Sequence, residues 1–346
     1  MTTVLGREHR KHDPSHQVDD GQIVDVLDRP ERVDALLRGV RSVGTRVVAP
    51  TAHGEESLLT VHDPGMLRFL ATAYARWSEE GRPGPVIPDS FGPRGGPARI
   101  GADASARVLA GYYCRDTCSP IMASTWSAAR EAADLALTGA DLIRSGTGLV
   151  YGLCRPPGHH AAVADFSGFC YLNNTALAAA SLRELGRVAV VDLDFHHGNG
   201  TQDVFWADPQ VFYGSVHGHP DRHFPFFSGF PDEVGVGDAR DTTFNLPLPD
   251  GTDGLRYRAT VDRLLERVLR FDPATVVVSL GLDIAADDPV GTFDVGDEDL
   301  WHLGRSLVAL GRPLLVIQEG GYALARLEEQ IGAFFRGALH LPAAAS

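Results

Sequence analysis

Short apolar runs alternate with helical patterns along most of the chain. The runs are rich in valine and leucine and occur at RVVAP (46–50), GLVYGL (148–153), RVAVVDLD (187–194), QVFYGSV (210–216), TVVVSLG (275–281) and PLLVIQEG (313–320). Segments with apolar residues at helical spacing lie between or beside them, at residues 30–44, 126–146, 173–186, 255–271, 297–311 and 324–339. Continuous apolar strands separated by amphipathic helices predict an α/β protein with a parallel sheet covered on both faces.

One segment departs from this alternation. GRPGPVIPDSFGPRGGPARIG (81–101) is crowded with glycine and proline and is too long for an ordinary connection between elements. Apolar periodic segments resume on both sides of it. We therefore interpret residues 81–107 as a functional loop or interface arm inserted into one domain of residues 1–346, with a disordered arm as the alternative.

Composition narrows the class of protein. The 346 residues are 44% hydrophobic, enough for a large core, and the formal net charge of −14 disfavours nucleic-acid binding and is compatible with cationic substrates. The four cysteines form no C-x-x-C pair, which favours a reducing cytoplasm. No run approaches 18 apolar residues and the first residues are polar, so we expect neither export nor insertion into a membrane.

Carboxylates and imidazoles follow two of the predicted strands. Residues two apart in a strand share a face, so Asp192, Asp194 and His196 are predicted to point the same way at the sheet edge where open parallel sheets bind ligands. Adjacent buried carboxylates repel each other unless a proton or a cation lies between them. Asp283 ends another apolar strand. Asp194, His196 and Asp283 thus form a three-ligand set typical of a catalytic zinc site.

Two further motifs supply groups for proton transfer. CRPPGHHA (154–161) delivers His159 and His160 together from a rigid turn, and such a pair can act as general base and general acid toward a metal-bound water. In QEGGY (318–322), two glycines precede Tyr322, whose phenol could donate a hydrogen bond to an oxyanion. Asp287 and Asp288 are interpreted as loop or capping residues.

These motifs, together with GFCYLNN (168–174), DLDFHHGNGTQD (192–203) and SLGLD (279–283), resemble the zinc-dependent histone deacetylase and acetylpolyamine amidohydrolase superfamily in order and spacing. Within it, the chain looks most like the bacterial acetylpolyamine amidohydrolases. The resemblance extends from about residue 5 to the C-terminal helix. It implies a single-domain, three-layer fold of the arginase/deacetylase type, with a mostly parallel central sheet of about eight strands.

The resemblance also implies roles for single residues. The ligands of Zn²⁺, with Fe²⁺ or Co²⁺ as substitutes, would be Asp194, His196 and Asp283. His160 would be the general base and acid, His159 would assist electrostatically, and Tyr322 would polarise the amide carbonyl. Asp192 would hold His159, and Asn199 would lie beside His160.

The substrate tunnel and a second ion follow from the same resemblance. The tunnel would be lined by Gly168, Phe169, Phe224 and Val290. A structural potassium ion would lie at Asp192, Asp194, His196, Ser215 and Val216.

The predicted reaction is hydrolysis of an N-acetylated primary amine, with acetylpolyamines first among the substrates. The insert and the residues after it carry Arg94, Arg99 and Arg107 against Asp89 and Asp103, which is unusual for a tunnel mouth that admits cations. Deacetylation of acetyl-lysine in proteins or peptides and deacylation of a secondary metabolite are therefore alternatives. Two more distant alternatives are an arginase-type enzyme with dinuclear manganese chemistry and a non-catalytic metal-dependent binding protein. We expect a homodimer formed through residues 81–107 that excludes folded proteins. We expect neither nucleic acid nor a membrane as a partner.

Overall fold

The computed structural model describes residues 1–92, 100–101 and 103–343. Its strands are β1 (Thr2–Val4), β2 (His16–Asp19), β3 (Gln22–Asp25), β4 (Arg46–Val48), β5 (Leu149–Gly152), β6 (Val188–Asp192), β7 (Val211–Gly218), β8 (Thr243–Leu248), β9 (Thr275–Leu280) and β10 (Leu314–Gln318). Its α-helices are α1 (Glu31–Ser42), α2 (Glu55–Leu58), α3 (Pro64–Glu79), α4 (Ala106–Tyr113), α5 (Thr125–Arg144), α6 (Asn174–Leu182), α7 (Asn199–Phe205), α8 (Gly254–Phe271), α9 (Asp297–Val308) and α10 (Leu327–Ala338). Short 3-10 helices lie at Glu8–Lys11, Arg183–Leu185 and Gly237–Ala239.

Eight strands form one sheet in the order β4-β1-β5-β10-β9-β6-β7-β8, and all neighbouring pairs are parallel. Successive residues of β6 point to opposite faces: Val190 packs in the layer with α5 and α6, and Val191 packs in the layer with α1, α8, α9 and α10. Every residue of β6, β9 and β10 is buried. This confirms the predicted parallel sheet with helices on both faces.

Each of the six predicted apolar runs overlaps a strand of this sheet, and the six long helical patterns overlap α1, α5, α6, α8, α9 and α10, with α5 and α8 each beginning one residue before its pattern. The run at 210–216 ends two residues before β7 does. Several elements were not predicted from the sequence, namely β1, β8, the β2–β3 hairpin and the helices α2, α3, α4 and α7. The start of α3 carries a readable signal, because Asp63 Oδ1 caps it by accepting the N–H of Gly65 at 2.7 Å and of Met66 at 2.9 Å. Helix α4 begins at Ala106, so the end of the predicted insert is helical. No helix of the described residues is long and apolar enough to cross a bilayer.

The carboxyl ends of four neighbouring strands, β5, β10, β9 and β6, meet at one edge of the sheet. The prediction that Asp194 and His196 lie on a strand is wrong, because β6 ends at Asp192. Side chains replace strand pairing beyond that point: the N–H of Asp194 donates to Asp192 Oδ1 at 3.3 Å, and the N–H of His196 donates to Asp194 Oδ1 at 2.9 Å. Short acidic side chains favour such local hydrogen bonds, which turn the chain.

Candidate active site

Asp194, His196 and Asp283 come together at this edge. His196 Nδ1 lies 3.2 Å from Asp194 Oδ1 and 3.1 Å from Asp283 Oδ2. One ligand atom from each residue lies within 4.8 Å of the other two. Both carboxylates are buried, whereas the imidazole is 15% exposed. Two loops that are far apart in sequence therefore deliver three metal-ligating groups to one point.

The surroundings of this cluster fit a divalent cation. A Cβ at Gly281 would lie 2.2 Å from Asp194 Oδ2, and one at Gly320 would lie 2.5 Å from Asp283 Oδ2, so both glycines make room for the carboxylates. Burial and the nearby Asp194 carboxylate raise the pKa of Asp283 to about 7. A divalent cation between the two carboxylates would remove that repulsion, and two carboxylates with one neutral imidazole match its charge.

The histidine pair occupies the loop after β5. The two rings lie 4.0 Å apart between centroids, and both side chains are buried. His159 Nδ1 lies 3.2 Å from Asp192 Oδ2, and His160 Nδ1 lies 2.7 Å from Asn199 Oδ1. Burial opposes protonation of His159, but the carboxylates of Asp194 and Asp192 outweigh it and raise the pKa of His159 to about 10. Burial and the neighbouring His159 lower the pKa of His160 well below its usual range. The pair is therefore split into a cationic and a neutral imidazole.

Glu319, which was not predicted from the sequence, holds this loop in place. Its Oε2 accepts the N–H of Gly158 at 2.6 Å and of His159 at 3.1 Å, and Thr175 Oγ1 donates to its Oε1 at 3.1 Å. The side chain is fully buried, and burial raises its pKa to about 7. An acidic residue directly after an apolar strand was the available signal, since a carboxylate there must find donors.

Tyr322 lies in the loop after β10, almost fully buried. Its N–H donates to Asp288 Oδ2 at 2.6 Å, and the Arg32 guanidinium lies 4.7 Å from the centre of its ring. The preceding Gly321 has a φ of +113°, and a Cβ there would lie 2.7 Å from Leu282 Cβ. Burial raises the pKa of Tyr322 well above its usual range, so its hydroxyl keeps its proton. Arg32 was not singled out from the sequence, and Asp288 was interpreted only as a loop or capping residue.

Three of the four predicted tunnel residues surround these groups. The Phe224 ring lies 4.8 Å from the His160 ring, and the Phe169 ring lies 5.8 Å from the Tyr322 ring. A Cβ at Gly168 would lie 2.3 Å from His160 Cδ2 and 3.0 Å from Phe224 Cε1. A glycine is therefore required at residue 168 for the space beside the histidine pair. The fourth residue, Val290, lies half-buried on the loop after β9.

The residues of the predicted potassium site lie along β6, β7 and the loop after β6. Asp192 and Ser215 are direct partners in the parallel pairing of the two strands. Ser215 Oγ lies 2.8 Å from His217 Nδ1, and Val216 is buried beside them. Potassium binding here stays a prediction.

At the predicted tunnel mouth, Arg94 and Arg99 lie outside the described residues. Arg107 and Asp89 pair with each other, with Arg107 Nε donating to Asp89 Oδ1 at 3.2 Å. The positive charge of Arg107 is thus compensated locally. Asp116, which was not predicted, accepts the N–H of Gly168 at 2.5 Å and so fixes the backbone beside the histidine pair.

Comparison with known proteins extends the similarity to nearly the whole chain. The histone deacetylase domain family matches residues 26–338. The chain is 38% identical to the acetylpolyamine amidohydrolase of Mycoplana ramosa, over 97% of this chain and 99% of that protein. It is also 38% identical to acetylpolyamine amidohydrolase 1 of Pseudomonas aeruginosa, over 94% of each chain. A crystal structure of acetylpolyamine aminohydrolase from Burkholderia pseudomallei superposes with a TM-score of 0.93 at 36% identity, covering 97% of this chain and 98% of that one.

Proposed function

Because this chain belongs to the histone deacetylase domain family, we propose that it is a zinc-dependent amidohydrolase that removes acetyl groups from N-acetylated primary amines. Relatives that match along nearly their whole length are acetylpolyamine amidohydrolases, which favours an acetylated polyamine or a similar small amine as the substrate. The observation that carries the chemistry is the cluster of Asp194, His196 and Asp283, whose ligand atoms lie within 4.8 Å of one another.

These three side chains would hold the metal ion. A bound Zn²⁺ polarises the substrate carbonyl and lowers the pKa of water, and a mixed oxygen and nitrogen donor set also accepts Fe²⁺ or Co²⁺. We further propose K⁺ at Asp192, Asp194, His196, Ser215 and Val216. The pairing of Asp192 with Ser215 across β6 and β7 supports this assignment.

The histidine pair would move the protons of the reaction. Asn199 Oδ1 accepts a hydrogen bond, so His160 Nδ1–H donates to it and His160 Nε2 is left to take a proton from the attacking water. The cationic His159, held by Asp192, would stabilise negative charge nearby. His160 would then pass its proton to the amine nitrogen as the C–N bond breaks, releasing acetate and the free amine.

Tyr322 and the tunnel walls would orient the amide. The protonated phenol of Tyr322 would donate a hydrogen bond to the oxygen that becomes negative in the transition state. Phe169 and Phe224 would exclude water along a linear aliphatic chain, and Gly168 would leave room for it.

The reaction is tested by measuring hydrolysis of acetylated putrescine, cadaverine and spermidine beside acetyl-lysine peptides, with the zinc content determined on the same sample. We expect the highest kcat/KM for a small acetylated amine. Preference for a peptide would favour the protein deacetylase alternative, and preference for a bulky acylated metabolite would favour the metabolite alternative. A protein with one equivalent of zinc that hydrolyses no acetylated amine would contradict the proposal.

We also propose a homodimer formed through residues 81–107 of a single deacetylase domain of residues 1–346. The exposed apolar side chains of Phe91, 50% exposed, and Ile100, 37% exposed, support a partner at this insert.

A single sheet contains strands that range along the chain from Thr2 to Gln318, which supports the single domain. The four free cysteines support a cytoplasmic location. Light scattering on the purified protein tests the dimer: a mass near twice the monomer's 37.2 kDa is expected, and a monomer at micromolar concentration would contradict it.

A further inference from the structure

We infer that Asp288 is a positioning residue that fixes Tyr322 against the loop that carries the metal ligand Asp283. The inference rests on the proposed function, because it concerns the hydroxyl that would polarise the acetyl carbonyl. Asp288 is 7% exposed, although it lies in a surface loop beside the exposed Asp287. A carboxylate buried to this extent requires hydrogen-bond donors, and the identity of those donors indicates its role.

Among the described residues, three N–H groups donate to this carboxylate, and all of them belong to the main chain. Asp288 Oδ2 accepts the N–H of Tyr322 at 2.6 Å and the N–H of Ala323 at 3.1 Å. Its Oδ1 accepts the N–H of Val290 at 3.0 Å. One side chain thus joins the loop after β9 to the backbone of the proposed oxyanion donor, which lies 34 residues later in the chain.

The other side of the Tyr322 loop is held differently. Arg32 Nε donates to the carbonyl of Gly321 at 2.6 Å, and Arg32 Nη2 donates to the carbonyl of Glu319 at 2.7 Å. Arg32 therefore fixes carbonyl groups before Tyr322, whereas Asp288 fixes the N–H groups of Tyr322 and the residue after it. The two side chains together determine the position of the peptide plane from which the phenol extends.

The loop between Asp283 and Val290 is itself closely packed. A Cβ at Gly291 would lie 1.7 Å from the carbonyl oxygen of Asp283, so the chain folds back onto the metal ligand directly after Val290. A shift of Asp288 would be transmitted to Tyr322 and to this turn. Because an error of about 1 Å in the placement of a reacting group costs about 100-fold in rate, such a contact can control turnover without touching substrate.

The chemistry of the side chain makes the inference testable. An asparagine at this position keeps one acceptor oxygen, but its amide group would face an N–H donor on the other side. Asp288→Asn should therefore retain part of the clamp, and Asp288→Ala should remove all of it. Asp287→Asn is the matched control, because Asp287 is the adjacent aspartate, is exposed, and pairs with Arg326 Nε at 3.1 Å on the surface.

The experiment measures kcat, KM and zinc content for the parent enzyme and the three variants, on the acetylated amine that the parent hydrolyses fastest. We expect Asp288→Ala to lower kcat by about 100-fold and Asp288→Asn by about 10-fold, with KM changed by less than about 3-fold and zinc retained. Asp287→Asn should match the parent. An inactive parent would refute the proposed function itself, whereas an active parent with Asp288→Asn and Asp288→Ala equal to the control would overturn this inference alone.

A double variant separates positioning from general destabilisation. Asp288→Asn is introduced into Tyr322→Phe. The slow residual hydrolysis of both proteins is measured as a single-turnover rate at high enzyme concentration. If Asp288 acts through the Tyr322 hydroxyl, the second substitution should lower the rate by less than about 2-fold in this background. The same 10-fold loss with and without the hydroxyl, or loss of zinc from Asp288→Asn, would overturn the inference.

Discussion

The proposed site has two regions: a floor, formed by the metal-ligand cluster, the histidine pair and Tyr322, and a rim, at Phe226 and Phe227. The two regions differ in how their side chains are buried and held. At the floor, every proposed catalytic side chain follows one of four neighbouring buried strands and is held by a second group, as His159 is by Asp192 and His160 by Asn199. At the rim, Phe227 is 91% exposed and follows Phe226, which is 47% exposed. Under the proposed function, the reaction would therefore depend on the packed core, and the choice of amine would depend on loops that can change at little cost to stability.

Removal of a metal ligand should give the largest effect at the floor. Asp283→Ala takes away one of three ligands and leaves Asp194 buried beside His196. We expect loss of zinc on purification and a fall in kcat/KM of more than about 1000-fold, since the metal-dependent steps would be lost. Metal analysis and turnover are measured beside Asp287→Ala, an exposed neighbour outside the cluster. Stoichiometric zinc in Asp283→Ala would refute its role as a ligand.

Removal of the Tyr322 hydroxyl should have the next largest effect. Tyr322→Phe keeps the ring in contact with Arg32 and Phe169, so folding and zinc content should be unchanged. We expect kcat to fall by about 100- to 1000-fold, the usual cost of losing an oxyanion donor. Steady-state kinetics and metal analysis check this prediction. Full activity would remove Tyr322 from the mechanism.

Closing the space at Gly168 tests the wall between floor and rim. In Gly168→Ala, the new methyl group would lie 2.3 Å from His160 Cδ2, and the residue has a φ of +57° that disfavours a side chain. We expect kcat/KM to fall by about 10- to 100-fold, because both the histidine and the tunnel must shift. Gly146→Ala is a control for the backbone penalty alone, since that glycine has a φ of +90° and open space around it. Equal activity of the two variants would contradict a tunnel at Gly168.

A change at the rim should have the smallest effect. Phe227→Ala removes an exposed ring that lies 6.4 Å from the Phe226 ring, which in turn lies 6.3 Å from Phe224. We expect kcat to stay within about 2-fold and the KM for longer acetylated amines to rise by about 2- to 5-fold, because only contacts with the distal part of the substrate are lost. A kcat loss as large as that of Gly168→Ala would contradict the division between floor and rim.

The buried strands below the floor also explain which site residues could be predicted from the sequence. Buried strands have continuous apolar patterns, and parallel strands align their carboxyl ends, so Asp194, His196 and Asp283 could be brought to one edge from sequence. The mistake about Asp194 and His196 concerned the last residues of β6, where carboxylates bond to local N–H groups instead of extending the strand.

The roles of Glu319 and Asp288 were missed for a different reason. Most of their donors are backbone N–H groups, among them those of Gly158, His159, Tyr322 and Ala323, and a backbone donor leaves no signature in residue type. The strand β1 was missed because two of its three residues are threonines, so it forms no continuous apolar run of the kind that marked the equally short β4. The sequence therefore predicted the proposed catalytic and metal-binding residues, but not most of the residues that only position them.

The most direct test of the central claim is anomalous diffraction at the zinc edge from crystals of the zinc-loaded protein. We predict one strong peak at the sheet edge, about 2.0–2.2 Å from ligand atoms of Asp194, His196 and Asp283. A peak bound by other residues, or two adjacent peaks of the dinuclear kind, would contradict the account.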